Sequence, residues 1–371
     1  MALLALVLLA QVPPAQADPP ISQPAGPHAV GLRVIQPAAP REAGLPAQVL
    51  IWYPADTSVS DAPPLRYGDL MATRLSALRT DLSATQLREG RAQQQASLMR
   101  RLGVSGQAVL DAPLQARSQA VPAPGRFPLV VYAAGVGGPA DENADLFEYL
   151  ASHGYVVVSS VGMGADGREV EETLAHVEPQ VATLQALIRQ APQWTAADPQ
   201  RVAVMGWSWG GMSNLFAAAR DPQIGAIISL DGTREPALTR QIDVQRLTAP
   251  WLYVSRSPDT IAQIQRSGID TTFSLLNAAQ YAEVTQLIVY PMQHADFVSR
   301  RMREASDAGY GEYSRAEVRQ AFGMVALYVR HFLDAHLRQQ ASSLEFLARK
   351  PVANGAVPHS LRIDIRPPAK P

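Results

Sequence analysis

The chain contains no cysteine. That absence excludes disulfides, a thiolate nucleophile, cysteine-ligated zinc and a lipid anchor on cysteine. It also lacks a charge of one dominant sign: 32 basic residues face 33 acidic ones, for a net charge of −1. Nucleic acid and an anionic membrane surface therefore have no electrostatic claim as partners. No H-E-x-x-H stretch occurs, and His294-Ala295-Asp296 offers only two possible ligands. Neither a metal nor a cofactor is implied.

Long hydrophobic runs are missing too. The most apolar stretch, residues 2–10, is too short to span a bilayer, so stable membrane insertion is not expected. Followed by the small-x-small sequence Ala15-Gln16-Ala17 before Asp18, it reads as a cleavable export signal, with cleavage after Ala17. A secreted or periplasmic protein is the expectation. What remains, in a chain of 371 residues that is 47% hydrophobic, suffices for one substantial core.

The segments 29–36 and 47–53 read as an antiparallel strand pair. Residues 65–110 change character: helix formers recur at helical spacing with almost no strand signal, which predicts an insertion of helices. Beyond it, short apolar runs alternate with helical segments. "PLVVYAAG", "YVVVSSV", "RVAVMGW", "IGAIISLDG", "APWLYVS" and "TQLIVYP" are the strands; residues 141–153, 170–190 and 209–220 are the helices between the first four. A long helix is expected over 314–339. This pattern predicts a mostly parallel central sheet with helices on both faces, preceded by the helical insertion. Such sheets work at the carboxyl ends of their strands. The expected layout is a signal peptide at 1–17, one α/β domain at 18–350 with 65–110 as lid or pocket wall, and a Pro-rich tail at 351–371.

The stretch "GWSWGG" at 206–211 places Ser208 in a G-x-S-x-G pentapeptide between a strand and a helix. A strained turn there presents the hydroxyl, and Gly206 and Gly210 give it room. A serine hydroxyl needs a base, and the base needs an orienting acid, in the chain order nucleophile, acid, histidine. Of the histidines after Ser208, His331 and His336 sit in the long helix and His359 in the tail. His294 follows a strand by a few residues and is the candidate base. For the acid, Asp231 ends the strand after the nucleophile's helix, and Asp259 follows the next strand; Asp231 is preferred for its position at the strand end. The oxyanion donors are expected to be the N–H groups of Trp209, after the nucleophile, and of Val136, in the glycine-rich loop "AAGVGG". Trp207 reads as core packing, and Trp209 as apolar surface beside the pocket. The same loop fits a lone dinucleotide fingerprint, but the following strand ends in Ser159-Ser160 with no acid for a ribose.

The motifs "AQVLIWYPA", "FPLVVYAAGVGG", "GYVVVSS", "GWSWGG", "SLDG" and "HADF", in this order across 47–335, resemble secreted α/β-hydrolases of the platelet-activating-factor acetylhydrolase and dienelactone-hydrolase-like groups. The resemblance implies the α/β-hydrolase fold and a serine esterase acting on a small-molecule or lipid-like ester through an acyl-enzyme. In acetylhydrolase-like members the acid carries onto Asp231, whereas "SPDTIA" resembles the acid-bearing turn of cutinase-like polyester hydrolases and would select Asp259. Ala134 stands where many relatives have histidine, and the serine nucleophile departs from the cysteine that dienelactone hydrolases use. A peptidase or amidase on the same fold, a cutinase-like polyester hydrolase and a non-catalytic ligand-binding relative are the alternatives.

Overall fold

The computed structural model describes residues 19–37, 44–56, 63–79, 81–103, 105–162, 173–232, 236–258, 266 and 273–369. The expected signal segment and Asp259 lie outside the described residues.

Among the described residues, ten strands form one sheet: β1 (Ala29–Ile35), β2 (Val49–Ala55), β3 (Ala116–Ser118), β4 (Phe127–Ala133), β5 (Val156–Ser160), β6 (Ala197–Trp207), β7 (Ile224–Leu230), β8 (Trp251–Arg256), β9 (Val284–Val289) and β10 (Leu361–Arg366). Their spatial order is β10-β9-β8-β7-β6-β4-β5-β2-β1-β3. The six strands from β4 to β9 run parallel, while β2 joins β5 and β10 joins β9 antiparallel. The expected antiparallel pair is β1 and β2.

The alternation along β4 shows why these apolar runs become central strands. Val130 and Tyr132 point into one hydrophobic layer, and Leu129, Val131 and Ala133 into the other. Both faces are buried, so a polar residue has no place in the run. The first layer is covered by α4 (Ala144–Ser152) and by α10 (Arg315–Arg338), the second by α5 (Leu174–Trp194) and α6 (Trp209–Ala218). The long helix begins where Ser314 accepts from the N–H of Glu317 and the Glu317 carboxylate accepts from the N–H of Ser314, a reciprocal cap. Shorter helices are α7 (Pro236–Thr239), α8 (Leu275–Ala278), α9 (Ser299–Glu304) and α11 (Ala341–Ala348).

Residues 65–110 are helical as expected: α1 (Tyr67–Ala72), a 3-10 turn (Thr73–Ser76), α2 (Ala84–Leu102) and α3 (Ser105–Asp111). Burial within α2 is confined to Leu98, so this helix is held by few apolar contacts. The insertion as a whole is anchored by the buried apolar side chains Tyr67, Leu70, Met71, Val109 and Leu110 and by an ionic cluster. Arg74 grips Asp141 through Nε and Nη2 at 2.8–3.0 Å and reaches Glu304 at 2.8 Å through Nη1. Tyr67 donates to the same Glu304 at 2.7 Å.

The segment after Lys350 is part of the fold rather than a loose tail. It runs through a 3-10 turn (Pro351–Asn354) into β10, which pairs with β9 from Leu361↔Val289 to Arg366↔Val284. Its sequence, LRIDIR, carries charge at alternate positions, as an exposed edge strand does to discourage further pairing. Among the described residues no helix is long and apolar enough to cross a membrane.

The connectivity decides where a site can form. From β4 the chain crosses by α4 to β5 on one side, then by α5 back over β4 to β6 on the other. The loops after β4 and β6 therefore diverge to opposite faces and leave a crevice at their carboxyl ends.

Candidate active site

Both edges of that crevice carry the residues expected from sequence. Ser208 follows β6 directly and has φ 54° and ψ −125°, a conformation that ordinary residues avoid. The turn is over-determined by its surroundings. The Ser208 N–H donates to the Leu230 carbonyl at 3.0 Å. A Cβ on Gly206 would lie 2.5 Å from the Gly210 carbonyl carbon, and one on Gly210 would overlap the Ala133 carbonyl oxygen. Only glycine lets β4, β6 and α6 approach this closely.

His294 begins a 3-10 turn (His294–Phe297) beyond β9. Asp296 holds that turn, accepting from the Gln293 N–H at 2.9 Å and pairing with Arg301. Asp231 follows β7 with φ 49°, and its N–H donates to the Val254 carbonyl at 2.7 Å. The three side chains meet. His294 Nδ1 lies 2.6 Å from Asp231 Oδ2, and His294 Nε2 lies 3.0 Å from Ser208 Oγ. An ionised carboxylate only accepts, so Nδ1 carries the proton and Nε2 is left to accept from the serine hydroxyl.

Asp231 is buried, with 3% of its surface exposed. Burial is the largest influence on its carboxyl and pushes its pKa up. The bond from His294, the charge of Arg256 and the Arg256 N–H at 3.2 Å together outweigh it and hold the pKa below the usual carboxylate range. The acid is therefore ionised wherever the protein is folded near neutrality. His331 and His336 belong to α10, as expected: His331 stacks on Phe346 at 3.8 Å, and His336 lies 3.3 Å from Glu283.

The glycine-rich loop after β4 is braced on three sides. Gly135 donates to Glu142 Oε1 at 3.0 Å, Gly138 to the Gly135 carbonyl at 2.9 Å, and Gly137 to the Gly162 carbonyl at 2.9 Å. In return Gly162 donates to Gly138 at 2.8 Å. Of the four N–H groups from 135 to 138, that of Val136 is left with no acceptor among the described residues. The N–H of Trp209, at the start of α6, is likewise free. These are the two groups that the sequence singles out as oxyanion donors.

Two features were not legible beforehand. The tryptophans exchange roles: the Trp209 side chain is buried in the core, whereas Trp207 is the one at the site. Its indole N–H donates to the His294 carbonyl at 2.9 Å, and its ring faces the imidazole at 4.9 Å. A side chain at Gly135 would collide with that indole, so Trp207 fills the space between the glycine-rich loop and the histidine. The second is Glu142. It is fully buried, accepts from Tyr132 at 2.7 Å and from Gly135, and its Oε2 has no partner among the described residues. Burial pushes its pKa up to about 7 despite these bonds. The only trace in the sequence is a run of acids, "ADENAD", opening an otherwise apolar helix.

Residues 131–296 match the model of a PET hydrolase-like family, a span that holds Val136, Ser208, Asp231 and His294. No curated protein matches the sequence. Among solved structures, a ferulic acid esterase from Streptomyces cinnamoneus superposes with a TM-score of 0.58 at 22% identity, over 92% of this chain and 98% of the other. That likeness establishes the fold as that of the α/β-hydrolases. Taken together, the family match and the architecture indicate a carboxylic ester hydrolase.

Proposed function

We propose that the protein is a serine esterase that works through an acyl-enzyme, with Ser208 as nucleophile, His294 as base and Asp231 as the acid that orients it. The observation that carries this reading is the unbroken relay Asp231–His294–Ser208, at 2.6 and 3.0 Å, at the crevice between β4 and β6. As Ser208 Oγ bonds to the ester carbonyl carbon, its proton passes to His294 Nε2. The imidazolium so formed is stabilised by the Asp231 carboxylate. The carbonyl oxygen, now an anion, takes the N–H groups of Val136 and Trp209, which are already in place with no other acceptor to leave. Collapse expels the alcohol with the proton from His294, and a water activated by the same histidine then releases the acid.

The match to a PET hydrolase-like family supports aryl or polymeric esters as a substrate class beside the lipid-like esters of the acetylhydrolase-like groups. In either case the insertion is read as a wall, because Arg74 ties it to Asp141 and Glu304. Residues 1–17 are read as an export signal, which would put the mature enzyme outside the cytoplasm.

The test is hydrolysis of a p-nitrophenyl ester series from acetyl to decanoyl by the mature protein and by Ser208→Ala. Loss of all but a trace of activity in the variant supports the reading, and the chain-length optimum ranks the substrate classes. Equal activity in both proteins would reduce Ser208 to a turn residue.

A further inference from the structure

A cavity of about 290 Å³ opens against Trp207, lined among others by Arg101, Ala295, Arg300, Arg301 and Glu304. Trp207 and Ala295 are the chain neighbours of Ser208 and His294, so the cavity adjoins the site where an ester would react. Its character is unlike an acyl pocket: three guanidinium groups face one carboxylate.

That carboxylate does not neutralise the arginines. Glu304 Oε1 is occupied by Arg74 and Tyr67, and its Oε2 serves both Arg101 at 3.0 Å and Arg300 at 3.5 Å. Arg301 is held by Asp296 and by the Gly309 carbonyl. The Arg101 and Arg300 side chains stay partly exposed, and among the described residues each pairs with Glu304 through one terminal nitrogen. A guanidinium presents five N–H donors, so Arg101 and Arg300, which line the cavity with Arg301 opposite the single carboxylate Glu304, have donors that Glu304 does not occupy. An unpaired, partly buried donor on a cation is the feature an anion satisfies best.

We propose that this cavity is a subsite for a carboxylate carried by the ester itself, so that the preferred substrates are half-esters or esters of an acidic alcohol or phenol, with Arg300 and Arg101 binding the anion. The inference rests on the serine esterase reading and names its substrate class. Trp207 forms the apolar floor between the anion and the reacting carbonyl. The insertion supplies Arg101 from α2, which gives that element a part in specificity. Glu304 sets the positions of both arginines: burial alone would raise its pKa, but Arg74, Tyr67 and Arg300 hold it below the usual range, so it stays charged and keeps them aligned.

The experiment uses two matched pairs: mono-4-nitrophenyl glutarate against 4-nitrophenyl valerate, and 4-acetoxybenzoate against its methyl ester. The first pair places the carboxylate on the acyl side, the second on the leaving group. In the wild type, kcat/KM for the charged member of one pair should exceed that of its neutral partner by about tenfold at low salt, and the ratio should fall as salt rises. The ratio should drop about tenfold in Arg300→Gln and in Arg101→Gln. Cleavage of the neutral esters with no preference for the charged ones, or a preference that survives both substitutions, would overturn the subsite and leave the esterase reading intact. Failure to cleave any of the four would remove the esterase reading instead. The pocket is then judged on Ser208→Ala protein by tryptophan fluorescence: a response to 4-acetoxybenzoate and none to its methyl ester supports the subsite, and no response to either sinks it.

Discussion

Trp207 bridges the two halves of the site: its indole N–H bonds the His294 carbonyl at 2.9 Å, while its ring occupies the space that a side chain on Gly135 would need. The glycine-rich loop and the histidine therefore share one support. Shortening it should disturb the alignment of base and oxyanion donors more than ground-state binding. Trp207→Phe keeps most of the ring but loses the N–H, and kcat should fall about tenfold with a smaller change in KM. Steady-state kinetics on a p-nitrophenyl ester read the split; a lowered melting temperature with unchanged kcat would make Trp207 a packing residue only.

Asp231→Asn tests the acid. An amide at that position can turn its NH₂ toward His294 Nδ1, which leaves Nε2 protonated and unable to accept from Ser208. A loss in kcat on the order of 10⁴ is expected, with KM nearly unchanged. The depressed pKa of Asp231 also has a sign. Its contribution to stability is present above the ordinary carboxylate pKa and disappears as pH falls through the lower, folded value. Wild type should therefore lose stability relative to Asp231→Asn only in acid, as urea titrations at pH 7 and in the acid range would show. A kcat close to wild type would reopen the choice of acid and return attention to Asp259.

Arg74 tests the docking of the insertion. Its guanidinium is largely buried and serves Asp141, Glu304 and Tyr67 together. Arg74→Met leaves two buried carboxylates without their main cation, which should cost about 3–5 kcal/mol in urea unfolding. Arg74→Lys should recover only part of this, because an ammonium cannot make the two-pronged contact to Asp141. If Arg74→Met unfolds like wild type, the insertion is held by something other than this pair.

Much of this architecture was legible in the sequence for one reason: strands buried on both faces, such as "PLVVYAAG" and "RVAVM", carry few polar residues and stand out as nearly continuous apolar runs. Ser208 and His294 were legible because a strained turn needs glycines at fixed spacing and because a base must follow its strand closely. The choice between Asp231 and Asp259 was open, since each follows a strand; position at the strand end favoured Asp231, and the described geometry brings it to His294. Other features depend on contacts between distant segments. Trp207 meets His294 across 86 intervening residues, and Arg74 meets Glu304 across more than twice that separation. The strand LRIDIR reads as polar and charged until β9 is beside it to accept its hydrogen bonds.

Glu142 makes stability depend on pH in the opposite sense to Asp231. Its carboxyl accepts the N–H of Gly135 under the oxyanion loop, and burial, the largest influence, raises its pKa to about 7. Between the ordinary value of 4.5 and 7 the folded protein holds a proton that the unfolded chain has released. Stability associated with this group is complete below pH 4.5 and is lost as pH rises toward 7, by about 3 kcal/mol in all. Glu142→Gln keeps an oxygen to accept from Tyr132 and Gly135 and removes the titration. Relative to wild type, the variant should therefore gain about 3 kcal/mol on going from pH 4.5 to pH 8, whatever its absolute stability. Urea unfolding of both proteins at the two pH values measures that difference directly. A constant offset between them would mean that Glu142 is ionised throughout, and that the loop rests on a permanently charged carboxylate.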